Sequence, residues 1–258
     1  MSDVVHPEFH ARANAHLEGM IETFYEATPA AHYLASSSTI DANLFCRHTI
    51  ETSLRIRLLR IADSKVIQLF ARTNPFAAQA WCKYAEQRML HDRLFLQDLR
   101  HLGISEETVD GTDPLLATKL LQGYLYYTIE HEGPRGLLST AYFVEHTLQR
   151  TQARWISNVK RTLGARAVQG AEAHLDFHLD EDHATQVWNV LMSVVKTPDD
   201  EARVLYHFDA FHGLVIAYFQ ELASTTKVDV SRPPLDPAGT AVWGAQRAAE
   251  LGKRDDRA

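Results

Sequence analysis

Very little of this chain can pair into a sheet. Segments that alternate apolar and polar residues are nearly absent, and no Asn-Gly or Asp-Gly turn joins two such runs. Apolar residues recur instead at three- and four-residue intervals over long stretches, the pattern of helices that bury one face. The periodicity predicts helices over 14–27, 40–73, 76–102, 114–131, 135–163, 166–196 and 199–224. Pro29, the "TNP" at Thr73–Pro75, Gly103, the "EGP" at Glu132–Pro134 and Gly164 punctuate them, and Ser/Thr-rich "SSST" and acidic "TPDD" introduce two of the starts. No internal repeat or composition shift divides the chain. The expected fold is therefore all-α, a single bundle of about seven helices over 1–226, with 227–258 as a loosely attached or disordered tail. Three of the nine prolines fall in "TTKVDVSRPPLDPAGT", within that tail.

Composition excludes several function classes. The net charge of −7 argues against a nucleic-acid surface, which would carry a basic patch. No apolar run is long enough to span a bilayer, and the first residues lack the basic-then-apolar layout of a signal peptide. Cys46 and Cys82 make no disulfide framework. A reduced cytoplasm is the expected setting, with a small molecule rather than a membrane or nucleic acid as partner. The long helices leave room for a homodimer.

The fourteen histidines are an excess for such a chain, and three of them crowd into "AHLDFHLDEDHATQVW" (Ala173–Trp188). On one continuous helix, Asp176, Asp180 and His183 share a stripe about 60° wide. His174, His178 and Glu181 form a second stripe nearly opposite. Continued downstream, the first stripe meets Val187, Val190, Leu191 and Val194, whereas the second meets Thr185, Trp188, Asn189 and Met192. Asp176, Asp180 and His183 are thus expected to face inward. A buried carboxylate needs a partner, a proton or a metal.

Further metal-binding side chains occupy apolar stripes of other predicted helices. Glu145 aligns with Leu138, Ala141, Tyr142 and Leu148; Glu51 aligns with Leu44, Leu54 and Leu58, one turn after His48; His91 aligns with Leu94 and Phe95. Carboxylates and imidazoles from facing helices are how bundles build metal sites, and such donors suit an oxygen-loving transition metal. Glu86 is a further candidate, although it stands about 140° from His91 on a straight helix. His207 and His212 read as core-edge histidines or partners behind the ligands.

There is no Glu-x-x-His, which counts against a ferritin-like site. The stretches "HDRLFLQDLRHLG", "GLLSTAYFVEHTL" and "HLDEDHATQVWNVL" instead resemble the haem-oxygenase-like dimetal oxidases, over about 40–222. The last metal helix of that family usually reads His-x-x-x-Asp-x-x-His; here the register falls on Asp176, Asp180 and His183, with an aspartate in place of the first histidine. If Asp176 is not a ligand, His174 or His178 must enter through a distorted helix. The resemblance implies two Fe(II) ions without haem, held by Glu51, His91, Glu145, Asp176, Asp180 and His183, with O2 as co-substrate and room for an external electron donor. It further implies oxidation of a small aliphatic amino acid by C–H cleavage, giving desaturation or cyclisation in a natural-product pathway, as in the azetidine-forming oxidases. N-oxygenation and C–C cleavage of an amino or fatty acid are the alternatives. Substrate candidates are Arg55 and Arg60, as internal cations, and Tyr124 and Tyr127 from "GYLYYTIEHEG". Competing readings are a metal-free, thiaminase-II-like enzyme using Cys46 or Cys82, and a helical interaction protein without enzymatic activity.

Overall fold

The computed structural model describes the backbone of residues 6–180 and 183–230, and their side chains apart from those of 149 and 177–180. Among these residues the chain is all-helical: α1 (Pro7–Ala27), α2 (Pro29–Ser36), α3 (Ala42–Thr73), α4 (Pro75–Arg88), α5 (Asp92–His101), α6 (Glu106–Asp110), α7 (Leu116–Glu132), α8 (Arg135–Leu163), α9 (Gln169–Asp180), α10 (His183–Met192) and α11 (Pro198–Thr226). A short 3-10 turn at Ala165–Ala167 links α8 to α9.

Among the described residues there are thus eleven α-helical segments rather than about seven, most of the added boundaries having local reasons. Pro29 ends α1 but also opens α2 at a position where its missing N–H costs nothing. The segment expected as one helix over 76–102 breaks at Met89–His91, where backbone N–H groups reach back three residues instead of four. Ser105 starts the short α6 by accepting from the Thr108 amide at 3.1 Å. The segment expected over 166–196 is described as helix at Gln169–Asp180 and His183–Met192, and residues 181 and 182 lie outside the described residues. The acidic start signal acts as read, with Thr197 and Asp200 forming a capping box on α11, whereas α3 is capped not by the "SSST" stretch but by Asp41, through the amides of Asn43 and Leu44.

The long helices α3, α7, α8 and α11 pack side by side, with α4 and α5 along α3, α9 and α10 along α8, and α1 and α2 closing the α8–α11 side. Trp81, Trp188, Tyr142 and Phe208 are buried in the apolar core. The α5–α9 crossing is very close: a Cβ on Gly170 would lie 1.9 Å from the Leu94 carbonyl oxygen. The carboxylate of Asp98 on α5 caps α9 across this crossing, accepting from the amides of Gly170 at 2.6 Å and Ala171 at 2.9 Å. Burial pushes Asp98 up to about 7, although those amides pull the other way. Of the expected tail, Val228 and Val230 rest against the core; residues 231–258 lie outside the described residues.

Candidate metal and substrate site

An apolar cavity of about 310 Å³ runs through the bundle, lined from α1, α2, α3, α4, α5, α7, α8, α9 and α11. Near one end α8 supplies Glu145, which is buried. Tyr84 of α4 donates its hydroxyl to Glu145 Oε1 at 2.6 Å. His183, fully buried at the start of α10, places Nδ1 4.0 Å from Glu145 Oε2, with its ring edge-on to Tyr84. His91 and His174, both buried cavity-lining residues, stand as a second pair with ring centroids 4.7 Å apart. The same region holds a buried ion pair, Arg88 to Asp63 at 2.5 Å. Arg88 also lies over the Tyr84 ring and donates to its hydroxyl at 3.2 Å. Burial, opposed by Arg88 and reinforced by the Glu145 carboxylate, raises the Tyr84 phenol well above its ordinary range, so it remains a hydrogen-bond donor.

Glu145, His91 and His183 therefore fall where the sequence places them, inside the bundle. The tightened turns at Met89–His91 lie between His91 and Glu86, whose side chain is exposed. The inward face of α9 is corrected. His174 lines the cavity and Asp176 is exposed, the reverse of the expectation at these two positions, while His183 is buried as expected. The face argument chose the inward stripe from apolar residues about three turns beyond Asp176, and residues 181 and 182 in between lie outside the described residues. The side chains of His178, Asp180 and Glu181 lie outside the described residues.

Glu51 is buried but does not line the cavity. It pairs with Arg47 at 2.6 Å and accepts the Leu115 amide at 3.1 Å, tying α3 to the start of α7. The α3 carboxylate near Glu145 is Asp63, twelve residues or about 18 Å further along the helix. Asp63 went unread because it interrupts an apolar pattern at a single position, and its partner Arg88 is on another helix. Tyr84 carried no sequence signal beyond an aromatic on an apolar stripe.

At the other end, Arg55 lies over the Tyr218 ring, 4.3 Å from its centroid, and donates to Thr52 Oγ1 at 2.9 Å. Tyr218 bonds His48 Nδ1 at 2.9 Å. Burial, helped by the Arg55 charge, depresses His48 to about 3 and keeps it neutral. Arg60 also lines the cavity but is held by Asp92 and by the Met89 carbonyl. Tyr124 is outside the cavity lining, bonded to His207 at 2.6 Å, and Tyr127 is an exposed surface residue; neither lines a pocket as expected. His212 does line the cavity. Cys46 is buried outside it, and burial pushes its thiol up; Cys82 is exposed.

The helix arrangement is a haem-oxygenase-like fold. It is similar to a domain of unknown function with that fold from Shewanella denitrificans: TM-score 0.72, 19% identity, covering 82% of this chain and 90% of that one. It is also similar to a CADD-like protein of unknown function from Nostoc punctiforme, with TM-score 0.64, 16% identity, and coverage of 84% and 99%. A TenA homolog from Pseudomonas syringae superposes with TM-score 0.65 at 9% identity, covering 84% of this chain and 93% of that one. No curated protein matches the sequence. Residues 83–214, just over half of the chain, match the family described as iron-containing redox enzymes. The chain belongs to that family.

The donors fit iron by their chemistry: a carboxylate and imidazoles, the oxygen and nitrogen ligands that ferrous and ferric iron accept. They stand as two pairs, Glu145 with His183 and His91 with His174. Among the described residues no three His, Cys, Asp or Glu side chains converge into a ready-made cage. No described helix is long and apolar enough to cross a membrane.

Proposed function

We propose that the chain is an O2-dependent, non-haem iron oxidase that cleaves a C–H bond of an aliphatic small molecule, with two irons held at the Glu145 end of the cavity. The observation that carries this reading is the pairing of buried Glu145 with His183 beside an apolar cavity into which His91 and His174 also project. Glu145, His183, His91 and His174 are the proposed ligands, with Asp180, expected inward from the sequence, as a further one. Iron bound there supplies the electrons that reduce O2 and the capacity to take hydrogen from an unactivated C–H bond.

The protein's own part is positioning and exclusion. The Tyr84 hydroxyl fixes one Glu145 oxygen and leaves Oε2 turned towards His183. Arg88 neutralises Asp63 and so limits negative charge beside Glu145. The apolar walls keep water from the reacting carbon. For a desaturation, the substrate loses two hydrogens, O2 leaves as two waters, and an external donor supplies the remaining two electrons with two protons. Cyclisation, N-oxygenation and C–C cleavage are the other outcomes to assay, with aliphatic amino acids as the first screen because the resemblance points there. A thiaminase-like hydrolase is disfavoured, since neither cysteine reaches the cavity.

The test is anaerobic Fe(II) loading followed by metal analysis. About two irons per chain are expected, lost in Glu145→Ala and His183→Ala and retained in Glu86→Ala and Asp176→Ala. Trace metal in the wild-type protein after loading refutes the reading.

A further inference from the structure

Three arginines line the cavity, and two are neutralised: Arg60 by Asp92 and Arg88 by Asp63. Arg55 forms no ion pair with any described carboxylate. Its partners are the Thr52 hydroxyl and the face of Tyr218, and its Nη1 is buried without a hydrogen-bond acceptor. The carboxylate one turn away, Glu51, is engaged by Arg47 and the Leu115 amide. His48 beside it is neutral. A guanidinium in an apolar cavity without an ion-paired acid carries a desolvation cost that a ligand supplying the counter-charge would offset. A planar carboxylate matches the donor fork of arginine.

We propose that Arg55 is the substrate's head-group site: it binds the carboxylate of an aliphatic acid whose chain runs through the cavity towards Glu145 and His183. This rests on the oxidase reading for what happens at the far end. The polarity of binding follows from the helix. Arg55 precedes Asp63 by eight residues, about 12 Å along α3, and its side chain turns back to Thr52, away from Asp63. Carbons presented to Glu145 are therefore remote from the carboxylate. The wall between is aliphatic and aromatic, with Ile56, Leu59, Leu125, Val144 and Phe211 among its residues. Glu51 keeps one oxygen without a hydrogen-bond partner but does not line the cavity, so an α-ammonium beside Arg55 would meet no acid of the described lining, and the head group is a simple carboxylate rather than an α-amino acid. This narrows the amino-acid expectation to acids without the α-amino group.

Calorimetric titration of metal-free and Fe(II)-loaded protein with hexanoate, octanoate, decanoate, octanamide and 2-aminooctanoate tests this. Octanoate is expected to bind both forms about tenfold or more tighter than octanamide, the size of a charge-assisted hydrogen bond. Arg55→Met should weaken octanoate about 10- to 100-fold while leaving octanamide binding and the circular-dichroism spectrum unchanged; Arg55→Lys should restore part of the loss. Equal binding of acid and amide, no binding of any of the three acids, tighter binding of 2-aminooctanoate, or an unaffected Arg55→Met protein would each overturn the proposal. Arg55-dependent binding to a protein that takes up no iron would leave the head-group site standing and refute only the oxidase reading.

Discussion

The two ends of the cavity treat charge in opposite ways. Around Glu145 the charged groups are already engaged: Asp63 with Arg88, and Glu145 with the Tyr84 hydroxyl and His183. Around Arg55 one cation faces an aromatic ring and a hydroxyl and forms no ion pair with a described carboxylate. The first arrangement fixes the direction of side chains and contributes to the fold. The second contributes little to the fold and keeps its interaction free energy for a ligand.

The sharpest break of that contrast is to remove one acid and one base. Asp63→Ala leaves the Arg88 guanidinium buried and uncompensated and should cost about 3–5 kcal/mol, read as a shift in urea midpoint. Arg55→Met removes a charge that has no ionic partner, so its midpoint should stay equal to wild type or rise. An Arg55→Met loss as large as that of Asp63→Ala would erase the distinction between the ends.

Acid comes next. Burial depresses His48 to about 3, and His146 and His207 to about 4, each from an ordinary value of 6.5. Between those values the unfolded chain binds more protons than the folded one, so stability is fully present above about pH 6.5 and falls as pH drops towards 3–4. Asp98, raised from 3.8 to about 7, acts in the opposite sense over its own window, but it is one group against three. Melting temperature measured between pH 7.5 and 4 should fall steeply on the acid side; a flat profile would mean that these histidines are not held neutral.

A smaller effect separates orientation from ligation. Tyr84→Phe removes the hydroxyl that fixes Glu145 and should weaken Fe(II) binding by about 10- to 100-fold without abolishing it, as measured by competitive chelation. Smallest of all, Glu86→Ala on the exposed face of α4 should change unfolding free energy by less than about 0.5 kcal/mol and leave metal content unchanged.

Long-range architecture was readable because α3, α7, α8 and α11 each carry an apolar stripe several turns long, bounded by caps, prolines or glycines. Glu145 was readable for the same reason: it interrupts such a stripe within one unbroken helix. His174 and Asp176 were exchanged because the face was chosen from apolar residues downstream of His183 rather than from the turns of α9 itself. Glu51 taught a different lesson. Its inward position was correctly inferred, yet burial does not say which partner a carboxylate meets, and Arg47 with the Leu115 amide holds it. Asp63 and Tyr84 were invisible because their roles depend on residues brought in from α4 and α8. Arg55 was legible as an internal cation and a substrate candidate; that it forms no ion pair with a described carboxylate is a three-dimensional fact.

At Gly170 a single hydrogen atom sets the gauge of the imidazole pair. His174 stands one turn into α9 and His91 at the head of α5, and between them residue 170 meets the Leu94 carbonyl where the two helices cross. Any side chain there would wedge α9 away from α5. The 4.7 Å between the two rings would then widen, although neither histidine had been altered. The reach of the candidate metal centre is thus written into a position that carries no donor atom of its own.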